Sequence, residues 1–306
     1  MKRFLKRMGL IALLIGFATL YQMKAASAQL SISAHPLIFK EVVDPGMVWE
    51  GSATVANPNS FAIQVKPEKE NLSGGVEGEI QLTGETDQKY GLASWITFDE
   101  DKIFTLEPHG QLTIKFKVAV PANAQPGGHY GAVLFRGLTL DNTNQAELNG
   151  LGISGRVGTV LLFEVSGDVK KIGSITSIIA PKFLSRGPFD ISFKVQNDGN
   201  TFFSPEGTVT FQNLWTKYTG TWEPRVVFPG YDRTFKTSWD KKYLFGPIKI
   251  TIDAKMQDGG PTLGSKSIII WAFPWQEASI VIGAILLVWL GVKWFKIKYK
   301  IIKVEK

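Results

Sequence analysis

The chain has 306 residues, no cysteine and a formal net charge of +7. The lack of cysteine excludes disulfides and thiolate metal ligands. The charge is concentrated at the ends, because residues 1–28 and the tail from Lys293 onward each contribute +5, which leaves −3 between them. The central region therefore has no electrostatic feature that favours nucleic acid as a partner.

Residues 1–28 have the pattern of a secretory signal peptide. Basic residues come first, the apolar stretch Met8–Tyr21 follows, and Ala26-Ser27-Ala28 matches a cleavage site. We therefore expect an exported mature chain that begins at Gln29. An uncleaved N-terminal anchor is the alternative.

Residues 274–295 are predicted to form one transmembrane helix. No charged residue lies between Ala278 and Val292, and aromatic residues flank the stretch on both sides. Interfacial aromatics are typical of membrane spans. Residues 296–306 form a lysine-rich tail, which the positive-inside rule places in the cytoplasm. A buried core helix is the alternative interpretation.

The region between these ends is predicted to be all-β, as two tandem immunoglobulin-like β-sandwich domains, residues 29–166 and 167–273. Short alternating runs such as Leu112–Val120 and Phe189–Val195 are separated by Gly, Pro, Asn and Asp. The two halves share turn signals, since Val55-Ala56-Asn57 corresponds to Val195-Gln196-Asn197. Asp99–Lys102 is predicted to be a hairpin turn.

The order of these signals resembles that of bacterial WxL-interacting cell-surface proteins. In the first half it includes Val55-Ala56-Asn57-Pro58, Leu106-Glu107-Pro108 and Pro126-Gly127-Gly128-His129-Tyr130. In the second half it includes Val195-Gln196-Asn197-Asp198-Gly199-Asn200 and Phe228-Pro229-Gly230. The resemblance implies two immunoglobulin-like domains, the first assigned to peptidoglycan binding and the second to partner or host contacts.

The sequence contains no recognisable catalytic, cofactor or metal-binding motif. Its three histidines are far apart, and Asp99, Glu100 and Asp101 fit a solvated turn better than a calcium loop. The cluster Trp215, Tyr218 and Trp222 is the candidate partner-binding site, because aromatic residues are frequent in binding hot spots. A core or strand-pairing role for these three residues is the favoured alternative.

These observations predict a non-enzymatic, membrane-anchored bacterial surface protein that binds a cell-wall polymer (peptidoglycan) or another surface protein. The main alternative is an assembly factor that guides other exported proteins by strand addition. An enzyme with a diffuse site is the third hypothesis. The polar loops Glu70–Gly91 and Asp141–Gly155 are predicted contact surfaces. Tyr130 is predicted to be a buried corner tyrosine whose hydroxyl bonds the backbone.

Overall fold

The computed structural model describes residues 30–75, 77–84, 89–139, 154–257 and 259–298. The predicted signal peptide, the residues from Tyr299 onward and most of the predicted loop Asp141–Gly155 lie outside this part of the chain. The described residues form two successive pairs of β-sheets followed by one long helix, which confirms the predicted fold class.

The first sandwich comprises ten strands. They are β1 Ser33–His35, β2 Ile38–Val43, β3 Val48–Ala56, β4 Ile63–Gly74, β5 Ile80–Leu82, β6 Ile96–Phe98, β7 Phe104–Leu106, β8 Gln111–Ala119, β9 Gly127–Thr139 and β10 Ser154–Val165. Sheet A has the order β1-β3-β8-β6, and sheet B has the order β2-β10-β9-β4-β5, with β7 also paired to β4. The alternation predicted for β8 is confirmed, since Ile114, Phe116 and Val118 are buried between the sheets.

The second sandwich comprises eight strands. They are β11 Gly173–Ile179, β12 Phe183–Leu184, β13 Phe189–Asn197, β14 Pro205–Gln212, β15 Lys217–Gly220, β16 Asp232–Trp239, β17 Gly246–Met256 and β18 Thr262–Ala272. Sheet C has the order β11-β13-β16, and sheet D has the order β12-β18-β17-β14-β15. Its separate core includes Phe193, Phe211 and Trp239.

A buried asparagine ends a strand in the same way in each sandwich, as the sequence correspondence suggested. Asn57 Nδ2 donates to the carbonyl of Phe61, and Asn197 Nδ2 donates to that of Thr201, both at 2.8 Å. In each case the side-chain oxygen accepts the N–H two residues later, from Asn59 and from Gly199. The two sandwiches therefore share one strand-end motif, which is evidence for an internal structural repeat.

The two sandwiches pack against each other through a third apolar cluster. Tyr130, Leu134 and Leu162 on the outer face of sheet B contact Val226 and Phe228 of the second sandwich. The rings of Tyr130 and Phe228 are 4.6 Å apart in an edge-to-face arrangement.

Polar contacts close the rim of this interface. Gly128 donates its N–H to the carbonyl of Asn200, and Thr201 donates to Glu164 Oε2. Lys171 also pairs with Glu164. The two sandwiches are therefore joined by both apolar and polar contacts.

Tyr130 is buried, as predicted, but it is not a corner tyrosine within one sandwich. Its side chain points out of sheet B into the interface between the sandwiches. Its hydroxyl lies over Gly128 and has no partner with regular hydrogen-bond geometry among the described residues. The hydroxyl does approach the backbone of Phe202, as the prediction of a backbone partner required, but this contact lies outside regular hydrogen-bond geometry.

The segment Asp99–Lys102 does not close a hairpin. The strand before it, β6, pairs with β8 in sheet A, whereas the strand after it, β7, pairs with β4 in sheet B. Alternation predicted both strands correctly, but the connection crosses from one sheet to the other.

Helix α1, Trp275–Lys298, begins directly after Pro274, as the sequence predicted. Among the described residues it is the one helix that is long and apolar enough to cross a membrane. Phe273 donates its N–H to the carbonyl of Leu184, so the last sheet holds the chain until two residues before the helix.

Candidate partner-binding edge

One edge of sheet B is open. Val160 donates its N–H to Leu37, and Ser166 donates to Val43, so the odd-numbered positions of β2 face β10. Because strand residues alternate in direction, the backbone N–H and C=O of Ile38, Lys40 and Val42 point the other way. No strand pairs with that side of β2 among the described residues.

The open edge is confined to β2. Strand β2 pairs with β10 only from Val160 to Val165. The preceding half of β10 lies beside β1 and the residues around it, since Leu30 and Ile32 approach Gly155 and Thr159 donates its hydroxyl to the carbonyl of Pro36. We call the outward backbone groups of Ile38, Lys40 and Val42 the open edge.

The side chains along β2 do little to protect this edge. Val42 is 70% exposed and Leu37 is 66% exposed, and Ile38 is also exposed. Proteins usually protect edge strands with charges, proline or bulges. On the outward positions of β2 only Lys40 carries a charge, and its strand contains no proline or register shift. This edge therefore has the chemistry of a surface that accepts another strand.

A charged cluster lies on the outer face of sheet B, where β4, β9 and the first half of β10 are neighbours. Glu68 binds Arg136 at 3.0 Å and Arg156 at 3.1 Å, and Glu70 also pairs with Arg156. The hydrogen bond that Arg156 donates to Glu70 is the main reason that the pKa of Arg156 is raised. These groups line a cleft of about 630 Å³.

The three predicted site residues do not form one site. Trp222 is buried in the second core, where its indole N–H donates to the carbonyl of Pro205. Tyr218 lies on β15 and stacks on Trp239. Trp215 is at the tip of the β14–β15 turn and is 64% exposed. The residues around them alternate as in a hairpin, but the sequence could not show which of the three side chains is buried in the core and which are exposed.

The predicted contact loop Glu70–Gly91 is partly exposed and partly packed on the second sandwich, since strand β5 within it is exposed. Its first part is strand β4, and the turn after it packs on the second sandwich, where Thr234 donates its N–H to the carbonyl of Glu77. A Cβ at Gly78 would overlap Arg233, which shows how closely the two sandwiches approach there. Of this loop, residues 76 and 85–88 lie outside the described part.

The described residues contain no group of three or more His, Cys, Asp or Glu side chains that could hold a metal ion. The open edge itself consists of backbone groups and aliphatic side chains. Binding is therefore the chemistry that the geometry offers at this edge.

Comparison with known proteins found no matching family model and no matching curated protein. The resemblance to WxL-interacting proteins thus stays a prediction. The solved structures to which the chain is similar include the YadV chaperone, with 11% identity, a TM-score of 0.39, and coverage of 78% of this chain and 99% of that one. The Class 5 fimbriae chaperone CfaA gives 10% identity, a TM-score of 0.40, and coverage of 80% and 100%.

A third similar structure is the Salmonella enterica SafA pilin in complex with the SafB chaperone. It gives 14% identity, a TM-score of 0.37, and coverage of 80% of this chain and 99% of that one. At such low values the likeness concerns the overall fold.

Proposed function

We propose that this protein is an exported, membrane-anchored assembly factor that holds another exported protein by strand addition to the open edge. The observation that carries the proposal is the row of backbone groups on Ile38, Lys40 and Val42 with which no strand in the described part of the chain pairs. An incoming strand would complete these hydrogen bonds and cover the apolar side chains beside them. The predicted signal peptide and the candidate span support a location of this edge outside the cell, where the partner would be another exported chain.

The length of the edge suits a short extended segment. Strand β2 has six residues, which at about 3.3 Å per residue gives roughly 20 Å of template. The edge ends near a cleft between the sandwiches, lined by Lys40, Val42, Phe203 and Met256. A bound strand that runs along β2 would therefore finish against residues of both sandwiches.

A cell-wall polymer is the less supported partner. The cleft beside Glu68 is large enough for part of a polymer chain, but its arginines are already paired with carboxylates. A polymer would have to replace those ion pairs, whereas an added strand needs no existing contact to break.

Val42→Pro should abolish the proposed activity without unfolding the protein. The substitution removes an N–H that points to solvent, and proline is tolerated on the open side of an edge strand. Val42→Thr is the matched control, because it changes the same exposed side chain and keeps the N–H. The measurement is the abundance of other surface proteins in cells that lack the gene and carry each variant.

We expect deletion and Val42→Pro to deplete the same surface proteins, and wild type and Val42→Thr to restore them. If deletion leaves every other surface protein at its normal level, the protein is not an assembly factor. If Val42→Pro restores them as well as Val42→Thr does, the function does not depend on this edge.

A further inference from the structure

The second sandwich exposes a band of aromatic side chains at the end from which helix α1 leaves. At this end Trp271 of β18 pairs with Phe183 of β12, and Ala272 of β18 pairs with Gly246 of β17. Strand β12 and the start of β17 therefore lie at the same end. The β14–β15 turn is also there, because Gln212 pairs with Lys249 just before it. The loop between β16 and β17 reaches the same place, since its Lys242 accepts a hydrogen bond from Gly187.

The exposed side chains at this end contact one another in a chain that leads to the helix. Trp215 lies 5.8 Å from Phe245, and Phe245 lies 5.7 Å from Phe273, measured between ring centroids. Helix α1 begins at Trp275, two residues later. Leu214 and Tyr243 are also exposed. We call the side chains of Leu214, Trp215, Tyr243, Phe245 and Phe273 the aromatic band.

The charge of this end differs from that of the rest of the exported region. The three segments that meet here, residues 182–188, 213–217 and 240–245, carry five basic residues against Asp240. They are Lys182, Arg186, Lys217, Lys241 and Lys242. The region between the signal peptide and the tail is net negative, so this positive charge is local.

We propose that the aromatic band is a membrane-contacting surface that rests on the outer face of the same bilayer that α1 enters. Tryptophan and tyrosine side chains favour the headgroup region, where one part of the ring is apolar and the rest meets water. Lysine and arginine beside them favour anionic headgroups. The band is continuous with the start of the span, which commits it to lipid rather than to a protein partner.

This surface gives a function to Trp215, which neither fills the core nor lies at the open edge. It also sets the orientation of the second sandwich. The β14–β15 turn and the loop between β16 and β17 both contact the bilayer, in addition to the chain connection at Phe273. The inference depends on α1 being a membrane span. It is independent of strand addition.

The test uses the absence of cysteine from the chain, which allows a single probe to be attached at one site. Leu214→Cys places the probe in the aromatic band. Ser265→Cys places it on the exposed part of β18, seven residues or roughly 23 Å from the end of that strand. Each full-length variant is labelled with a fluorophore and reconstituted in nanodiscs that contain phosphatidylglycerol and headgroup spin-labelled lipid.

We expect the lipid quencher to reduce fluorescence at position 214 several-fold more than at position 265. Adding Lys241→Glu and Lys242→Glu should bring the quenching at 214 down towards that at 265. Equally weak quenching at both positions would overturn the proposal. So would a probe at 214 that is shielded from aqueous iodide but not quenched by lipid, because a protein or a second copy would then cover the band.

Discussion

Tyr130→Ala is expected to lower the free energy of unfolding by about 3 kcal/mol or more, the cost of truncating a large buried aromatic side chain. The ring is 1% exposed and contacts Phe228 and Phe202 of the second sandwich as well as Tyr90 of the first. The substitution therefore weakens the interface between the sandwiches. Urea unfolding of the full chain in detergent, followed by near-ultraviolet circular dichroism, measures the change.

Tyr130→Phe is the matched control for this prediction. It keeps the ring and removes a buried hydroxyl that has no regular partner, so the stability should be unchanged or slightly higher. A Tyr130→Ala protein as stable as wild type would contradict the placement of this ring in the interface. A Tyr130→Phe protein that loses as much as the alanine variant would show that the hydroxyl has a strong partner.

The same residue predicts how stability changes at alkaline pH. Burial raises the pKa of Tyr130 well above its usual value of about 10, electrostatic repulsion from Tyr90 and Glu164 adds to the shift, and the contact with the Phe202 backbone opposes it. The folded state thus holds this proton more tightly than the unfolded state does. The contribution of Tyr130 to the free energy of unfolding is constant below about pH 10 and decreases as the pH rises above that value.

The comparison of wild type with Tyr130→Phe isolates this effect from the other groups that titrate there. Between pH 9 and pH 11 wild type should lose more stability than the phenylalanine variant. Equal losses in the two proteins would mean that Tyr130 reaches solvent.

Asn197→Ala is expected to cost about 3 kcal/mol or more. The side chain is fully buried, and its amide donates to the carbonyls of Thr201 and Val227 while its oxygen accepts the N–H of Gly199. Alanine would remove all three hydrogen bonds and leave the Thr201 carbonyl and the Gly199 N–H without that partner, while the Val227 carbonyl still accepts from Phe203; each unsatisfied buried group costs about 1–3 kcal/mol. Denaturant unfolding measures the loss.

The equivalent Asn57→Ala should have an effect of similar size, because its amide donates to the carbonyls of Phe61, Leu106 and Glu107. Asn123→Ala is the control at an exposed asparagine and should change stability by less than about 0.5 kcal/mol. If all three variants unfold alike, the strand-end motif does not stabilise either sandwich.

Local pattern predicted much of the fold because side-chain alternation reports which residues share a face. It placed Ile114, Phe116 and Val118 in the first core, and the repeated asparagine turns identified matching strand ends. It also predicted the start of α1, since Pro274 cannot continue a helix from the N-terminal side.

Alternation does not reveal which sheet a strand joins or what covers a face. For that reason the sequence did not predict that Asp99–Lys102 crosses between sheets, or that Tyr130 faces the other sandwich. Nor did it locate the open edge, which arises from the parallel pairing of β2 with only half of β10. A long-range pairing of this kind leaves no local pattern in the chain.

The central claim is that another exported chain adds a strand along β2. The most direct measurement places a photoreactive amino acid at Lys40, on the open edge, and at Lys115, an exposed position on sheet A, in the full-length protein in living cells. Strand addition predicts that the Lys40 probe cross-links to one extended segment of another exported protein and that the Lys115 probe does not. No protein cross-link at Lys40, or the same products from both positions, would contradict the account.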